Sequence, residues 1–413
     1  MSPEAVVLLG AGVVFVITML SGHLDRVWLT EPLVATALGL VAGLTIVGEL
    51  NMLSEGILTV LELILALVLF ADASRIDLSR LRQGYSWPLR MLVLGLPLAV
   101  ALGALLAGWG LGAPLGIALL VGVILAPTDA ALAAPVLESD SVPARIRQTL
   151  NVESGLNDGL ALPLLVIAIG LVESEEGRSP LSSIGLVLAQ LGIGIAGGLV
   201  VGWLGAKLIG KGGESGRVTP LHQRIAAVAL ALAGFAAVQL LGGSGFVATF
   251  IAGGLMSHLI RPHGESLYEF AEAEGHSLVL LAFFIFGAGP ATALLTKGVS
   301  GEAVLIGLVS LLVVRPVAIA ISLVGQRLSR RTVVFLGWFG PRGLATIVFA
   351  LVAWEELGVV NTAVADVVNF TVLSSIVLHG LSAVPMSGWV ASMRMTDDMP
   401  EMGEAFAHPM RRG

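Results

Sequence analysis

Long apolar runs separated by short polar stretches dominate the pattern of this chain. A helix needs roughly 20 apolar residues to cross the hydrocarbon core of a bilayer, and thirteen runs reach or approach that length. We therefore predict an all-α polytopic membrane protein with about thirteen transmembrane segments. In chain order, the predicted segments 1 to 13 lie near 4–21, 31–48, 55–71, 89–109, 114–138, 146–172, 181–209, 221–241, 245–260, 276–295, 301–324, 331–354 and 362–386.

Composition agrees with this pattern and excludes several function classes. Only 12% of the residues are charged and 56% are hydrophobic, whereas a soluble domain has about 25% charged residues. The chain has no cysteine, which excludes a disulfide framework and a thiolate metal site. No basic tract is present, so no nucleic-acid partner is expected. The first apolar run lacks a preceding charged region, so we expect it to be retained rather than cleaved as a signal peptide.

The positions of Lys and Arg predict the orientation in the cell membrane. When the loops are numbered in order, the odd loops and the C-terminal tail carry 18 of the 22 basic residues, and the even loops carry only Arg178 and Lys297. The remaining two, Arg315 and Arg342, lie inside apolar segments. We predict an external N-terminus, a cytoplasmic C-terminus, one transmembrane unit over 1–393 and a short tail over 394–413.

Two of the segments are interrupted at corresponding places. An odd count with segment 7 in the middle suggests two six-helix halves, segments 1–6 and 8–13, related as inverted repeats. Segment 5 then corresponds to segment 12, and these carry the breaks Ala126-Pro127-Thr128-Asp129 and Gly340-Pro341-Arg342-Gly343. Proline inside a helix removes a backbone hydrogen bond, and unpaired backbone at membrane depth must line a cavity or bind something. Paired breaks therefore predict a site near the bilayer midplane.

Segments 5 and 6 also carry carboxylates within the stretches that are predicted to lie at membrane depth. Each costs roughly 2.5–3.5 kcal/mol on insertion scales, so a functional site is the first hypothesis. A helical segment 6 places four polar side chains on one wall. Carboxylate, amide and hydroxyl oxygens are the ligands that hard cations take, although a structural network between helices is the alternative. The candidate residues are Thr128, Asp129, Glu153, Ser154, Asn157 and Asp158.

The two arginines within apolar segments constrain which acid is free. A buried arginine requires a carboxylate partner, and we expect Arg315 to pair with Glu153. We expect Asp129 to neutralise the partial positive charge at the N-terminal end of a half-helix, and Arg342 the partial negative charge at a C-terminal end. The alternative for Arg342 is a plain kink in segment 12 without a charge-compensating role. Three acids against two arginines leave one negative charge. We therefore expect Asp158 to take one monovalent cation or one proton in turn.

Several sequence blocks resemble the monovalent cation:proton antiporter-1 family, the sodium/proton exchangers. The ESGLNDG motif within the second block is the most specific of them. The blocks are PTDAALAAPV at 127–136, NVESGLNDGLALP at 151–163, VVRPVAI at 313–319, FGPRGLATIV at 339–348, FADASRIDL at 70–78 and SIVLHGLSAVP at 375–385.

This resemblance implies a thirteen-helix fold in which unwound helices 5 and 12 cross. It also implies a homodimer and an elevator-like cycle, in which a core part with segments 5, 6, 11 and 12 moves against a dimerisation part with segments 1, 2, 7 and 8. It implies that Asp158 binds the ion, with Thr128, Ser154 and Glu153 around it. The resemblance further suggests that the pair Asn157-Asp158, rather than two aspartates, accompanies electroneutral one-for-one exchange.

One departure and several alternatives remain open at this stage. The family often has proline after the segment-5 aspartate, where this chain has Ala130, so the shape of the unwound stretch is left open. We expect a secondary transporter without a cofactor, not an enzyme, that exchanges sodium, lithium or potassium for protons. The alternatives are a potassium/proton antiporter of the same fold, a passive channel and, remotely, an intramembrane serine protease built from Gly242–Gly245 and His379.

Overall fold

The computed structural model describes residues 3–27, 29–47, 54–75, 86–177, 179–260, 265–358, 361–392 and 400–402. Every regular element within these ranges is helical, which confirms the all-α prediction. The predicted tail lies outside the described residues apart from a 3-10 turn at Pro400–Met402. The α-helices are α1 Pro3–Val27, α2 Glu31–Ala42, α3 Glu55–Arg75, α4 Ser86–Arg90, α5 Leu96–Leu111, α6 Leu115–Ile124, α7 Ala130–Leu137, α8 Ala144–Glu175, α9 Pro180–Glu214, α10 Pro220–Leu240, α11 Gly245–Ile260, α12 Glu265–Phe286, α13 Thr292–Lys297, α14 Gly301–Val309, α15 Arg315–Ser322, α16 Arg330–Trp338, α17 Leu344–Leu357 and α18 Thr362–Ala391.

Each of the thirteen predicted segments corresponds to one helix or to a pair of consecutive helices. Among the described residues, eight helical stretches are long and apolar enough to cross a membrane, and four shorter apolar helices accompany them. Segment 5 is the pair α6 and α7, segment 6 is α8, segment 12 is the pair α16 and α17, and segment 13 is α18. The protein is therefore a multi-pass membrane protein.

Segments 4 and 11 share a local irregularity. Each contains a π-helical stretch, Met91–Gly95 in segment 4 and Ser310–Val314 in segment 11, and a proline follows each stretch at Pro97 and Pro316. Proline cannot donate to the carbonyl four residues earlier, so the helix widens just before it. Segment 4 corresponds to segment 11 under the inverted-repeat scheme. Segments 2 and 10, which are not equivalent under that scheme, also contain π-helical stretches, Gly43–Val47 and Gly287–Ala291, but without a proline two residues beyond. The combination of stretch and proline is therefore what segments 4 and 11 share.

The helices pack as two groups. In one group, which holds segments 1–3 and 7–10, α3 packs on α11, α11 on α9 and α12 on α2. In the other, which holds segments 4–6 and 11–13, α5 packs on α6, α6 on α8, and α14 on α18. Helix α8 also contacts α3 and α11. It therefore carries its polar wall close to the boundary between the groups.

The unwound stretches of segments 5 and 12 cross each other, as predicted. The backbone N–H of Asp129 donates to the Pro341 carbonyl at 2.8 Å. The two carboxylate oxygens of Asp129 then accept from different helices: Oδ1 from the N–H of Ala131 in α7 and Oδ2 from the N–H of Leu344 in α17, each at 2.8 Å. Because helix N-termini carry unpaired N–H groups and partial positive charge, one carboxylate caps both half-helices.

Two glycines in segment 12 permit this close approach. A Cβ at position 343 would overlap the Asp129 carboxylate, and a Cβ at position 340 would overlap the Arg315 guanidinium. Both positions face a charged group at a distance that only a hydrogen atom can occupy. Glycine at each is required by packing rather than by backbone conformation.

We expect Gly343→Ala to destabilise the protein. The added methyl group displaces the Asp129 carboxylate from the N–H groups of Ala131 and Leu344, and each lost cap costs about 0.5–2 kcal/mol. Thermal unfolding in detergent measures the change. Gly388→Ala is the matched control, because a Cβ at that helical position meets no atom within 4 Å. Equal melting temperatures for Gly343→Ala and the wild type would contradict the double cap.

Candidate cation site

Helix α8 carries four of the predicted site residues on one buried wall. Glu153, Ser154, Asn157 and Asp158 have relative exposures of 4%, 6%, 1% and 7%. All four lie within one six-residue stretch of the helix, Glu153 to Asp158, which spans less than two turns. Thr128, in the segment-5 break, is 2% exposed and lies against the same wall. The structure therefore brings these five residues together.

Thr128 is tied to this wall through both its backbone and its side chain. Ser154 Oγ donates to the Thr128 carbonyl at 2.7 Å. Asn157 Nδ2 donates to Thr128 Oγ1, which lies 3.4 Å from both Glu153 Oε2 and Ser154 Oγ. The unwound backbone of segment 5 is thus held against α8 by several hydrogen bonds. The result is a dense cluster of carbonyl, hydroxyl, amide and carboxylate oxygens.

Glu153 lies in a bidentate ion pair with Arg315. The two guanidinium nitrogens are 2.9 and 3.0 Å from the two carboxylate oxygens, and both side chains are 5% exposed. Arg315 Nη2 also lies 3.3 Å from the Phe339 carbonyl. Bidentate geometry is the strong form of an arginine–carboxylate contact. The pair connects segments 6, 11 and 12.

Arg342 contacts the C-terminal end of α6. Its Nη1 donates to the carbonyls of Ala126 and Pro127, each at 2.9 Å. The residue is buried, with a relative exposure of 1%. Carbonyl groups at a helix C-terminus have no intrahelical partner and carry partial negative charge. The guanidinium therefore satisfies carbonyls that the break leaves unpaired, immediately before Thr128.

Asp158 differs from the other two acids of the site. Asp129 accepts two backbone hydrogen bonds and Glu153 holds a guanidinium, whereas Asp158 Oδ1 is buried without a hydrogen-bond partner among the described residues. The adjacent Asn157 Oδ1 is in the same condition. A buried acceptor without a partner costs roughly 1–3 kcal/mol. The buried wall of α8 thus presents two neighbouring oxygens that accept no hydrogen bond from the described residues.

A cavity of about 160 Å³ reaches this place. Asp158, Ser154 and Asp129 line it, as do the more exposed Asp72 and His276. His276 Nε2 is in contact with Glu31 of α2. The lining comes from both helix groups, because α3 and α12 contribute to it as well as α7 and α8. The candidate site therefore borders a cavity at the boundary between the groups.

Asp72 is a site residue that sequence reasoning missed. Its side chain lies beside Gly155 of α8, because a Cβ added at position 155 would be 3.6 Å from the Asp72 Cβ. The Asp72 carboxylate is 3.7 Å from Arg75 Nη1. The signal was present, because FADASRIDL places an acid directly after the apolar segment 55–71. That block contributed only to the family resemblance, and no role was predicted for the acid.

The residues of the protease alternative do not form a catalytic pair. Ser244 Oγ lies near the N–H of Val247 at the start of α11. The ring nitrogens of His379 contact Trp338 and Ser375 instead. A serine nucleophile needs a base within hydrogen-bond reach. This geometry gives no support to a protease.

Comparisons with known proteins point in one direction. The chain is 27% identical to the "K(+)/H(+) antiporter NhaP" of Alkalimonas amylolytica over 92% of its own length and 66% of that protein. It is 28% identical to the "Na(+)/H(+) antiporter NhaP" of Pseudomonas aeruginosa over 77% of its own length and 78% of that protein. The chain thus spans slightly less than two thirds of the first of these relatives.

A solved structure has the same fold. The sodium proton antiporter MjNhaP1 of Methanocaldococcus jannaschii superposes with a TM-score of 0.74 at 18% identity, covering 95% of this chain and 100% of that one. The family model described as "Sodium/hydrogen exchanger, transmembrane" matches residues 11–389. That range includes both breaks and every residue of the candidate site. The chain therefore belongs to the sodium/hydrogen exchanger family.

Proposed function

We propose that this protein is a secondary active antiporter that exchanges one monovalent cation for one proton across the cell membrane. Asp158 is the group for which cation and proton compete. The observation that carries the proposal is the buried Asp158 Oδ1, which has no hydrogen-bond partner among the described residues, on a side chain that lines a cavity. Membership of the family and antiporter names among the relatives support the reaction class.

Charge balance supports one-for-one, electroneutral exchange. Asp129 and Glu153 are held by backbone N–H groups and by Arg315, and Arg342 supplies the second positive charge. Three acids and two guanidiniums leave one negative charge, which one cation or one proton neutralises. Asp72 adds nothing to the balance because Arg75 lies beside it. A dehydrated negative charge is costly to move through lipid, so the carrier reorients when loaded and not when empty.

We assign the cation ligands to Asp158, Ser154 and the oxygens of Thr128, with the Asn157 amide beside them. Ionised carboxylate, hydroxyl and carbonyl oxygens suit a hard cation. Asp129 acts through the two helix ends that it caps. Glu153 acts mainly through Arg315. Their part in exchange is therefore to hold the ligands in place rather than to surrender protons.

Packing in two groups supports an elevator-type cycle. The group with segments 4–6 and 11–13 contains the site, and its partner group supplies the opposite wall of the cavity. Movement of one group past the other would transfer Asp158 from one side of the membrane to the other. The cavity lining includes Arg75 and Glu138, close to loops predicted to be cytoplasmic. We propose an external N-terminus, a cytoplasmic C-terminus and a cavity that opens inward.

A homodimer in the bilayer is part of the proposal. Of the candidate membrane-spanning helices among the described residues, α9 is the least buried by the rest of the chain. Its exposed residues include Leu181, Leu188 and Leu208. Segment 7 is in the part expected to dimerise. The other partners are the monovalent cation, the proton and lipid, and no cofactor takes part in the cycle.

Potassium is the second candidate for the cation. Relatives named as potassium/proton antiporters and one named as a sodium/proton antiporter match this chain at 27% and 28% identity. Dequenching of a pH-sensitive dye in proteoliposomes, with sodium, lithium and potassium added in turn, identifies the transported cation. No response to any of the three would contradict the proposed function.

Asp158→Asn is expected to abolish cation-driven proton movement while the protein still folds. The amide is nearly isosteric but can neither ionise nor bind a proton at physiological pH. The dye assay measures exchange, and thermal unfolding measures folding. Asp366→Asn, which changes an acid in another apolar segment, is the matched control and should exchange at the wild-type rate. Exchange by Asp158→Asn near the wild-type rate would remove this acid from the mechanism.

Arg315→Ala is expected to lower the free energy of unfolding by about 3–5 kcal/mol, because it leaves the Glu153 carboxylate buried without its partner. Replacing both residues, as Glu153→Leu with Arg315→Met, should recover most of that loss. Unfolding in detergent is the measurement, and Arg217→Ala, at an exposed position, is the control. A variant with normal melting temperature and altered cation dependence would argue against a structural pair.

Exchange is expected to be insensitive to membrane potential, because equal charges move in opposite directions. The test compares initial rates in proteoliposomes with and without a potential imposed through an ionophore for an ion that the protein does not transport. A clear change of rate with potential would show that unequal charge moves, and would contradict the one-for-one balance.

A further inference from the structure

Segment 13 braces the break in segment 12 from both of its ends. His379 Nε2 lies 2.9 Å from the carbonyl oxygen of Trp338, the last residue of α16. One turn earlier in α18, Ser375 Oγ accepts a hydrogen bond from the backbone N–H of Arg342 at 2.6 Å. The residues between these contacts, Phe339 to Pro341, form the crossing with segment 5. Two side chains of one helix therefore fix the start and the end of the break.

The His379 ring has little freedom to leave this position. The residue is 2% exposed, and its ring centroid is 5.2 Å from that of Trp338 and 6.3 Å from that of Phe339. Trp338 Nε1 in turn donates to Ser382 Oγ, also on α18, at 2.8 Å. Side chains packed in this way hold a defined rotamer. The contacts of the imidazole nitrogens are thus set by the fold.

A neutral imidazole protonated on Nε2 joins these contacts into one series, and its Nδ1 also lies 2.9 Å from the Ser375 carbonyl oxygen. Ser375 Oγ, 3.1 Å from His379 Nδ1, donates to that nitrogen and accepts from the Arg342 N–H. A neutral imidazole then carries its proton on Nε2 and donates it to Trp338. Hydrogen bonds linked in series strengthen one another. The series runs from Arg342 to Trp338 through α18.

This brace leads directly to the proposed cation ligands. The Arg342 side chain donates to the carbonyls of Ala126 and Pro127, and the next residue is Thr128. A shift of the Arg342 backbone would therefore reach the Thr128 oxygens through one side chain and one peptide bond. We propose that His379 and Ser375 are positioning residues for the cation site. This inference rests on the proposed function, since it concerns the affinity of that site.

The experiment measures the apparent KM for the cation that the wild type transports, by dye dequenching in proteoliposomes. Loss of a partner that orients a ligand typically weakens cation affinity 10–100-fold, so His379→Leu and Ser375→Ala should each raise the KM by about tenfold or more, with a smaller effect on kcat. His379→Gln keeps an N–H donor near the position of Nε2, so its KM should stay within about twofold of the wild type.

The matched control is Ser387→Ala. Ser387 is a buried hydroxyl of α18 that donates to the Ala383 carbonyl of its own helix, so its loss should leave the KM unchanged. Thermal unfolding of every variant, with and without the cation, separates affinity from folding. If His379→Leu does not fold, Ser375→Ala and His379→Gln still decide the question.

Three results would overturn the inference. The first is a KM within about twofold of the wild type in both Ser375→Ala and His379→Leu. The second is a lower melting temperature in these variants without any change in KM, which would indicate a purely structural brace. The third is a KM in His379→Gln as high as in His379→Leu, which would mean that titration of the imidazole matters rather than its hydrogen bond. Absence of exchange by the wild type would instead contradict the proposed function itself.

Discussion

Unpaired helix ends inside the membrane are the constraint on which this structure depends. Breaking two helices at their centres creates two N-termini and two C-termini where no water can satisfy them. Asp129 takes both N-termini, and Arg342 takes the carbonyls of Ala126 and Pro127 just beyond the end of α6. At the end of α16, the carbonyls of Trp338 and Phe339 face His379 and Arg315. All four half-helix ends thus have side-chain partners.

This arrangement explains why one acid remains without a partner. Each charge that serves a helix end or an ion pair is fixed by short hydrogen bonds. Glu153 and Asp129 belong to this fixed set, as do the two arginines. Asp158 makes no comparable contact through its buried Oδ1. The remaining carboxylate, that of Asp158, lines the cavity and has one buried oxygen without a hydrogen-bond partner among the described residues.

Much of the fold could be predicted from the sequence, because it depends on local properties of the chain. Apolar run length gave the segments, and proline and glycine gave the positions of the breaks. The pairing of Arg315 with Glu153 was expected from charge alone, and the two side chains are in contact; the consequence for transport is still a proposal. The loop and tail residues that support the predicted orientation lie partly outside the described residues.

Other features of the site could not be predicted, because they depend on how distant segments approach each other. The sequence places Asp129 at the N-terminus of α7 but gives no indication that it also caps α17, 215 residues along the chain. Asp72 lies beside Gly155 because α3 packs on α8, a contact between segments that are distant in the sequence. His379 was considered only as a remote protease candidate, and its contacts with Trp338 and Ser375 depend on the packing of segment 13 on segment 12.

The shared Asp129 cap has a consequence for how a duplicated fold can diverge. Segments 5 and 12 occupy equivalent places in the two halves, yet one contributes the acid and the other contributes the arginine. A molecule assembled from two copies of the first half would bring two aspartates to the crossing, and two copies of the second half would bring two guanidiniums. The halves have become complementary, and neither can now replace the other.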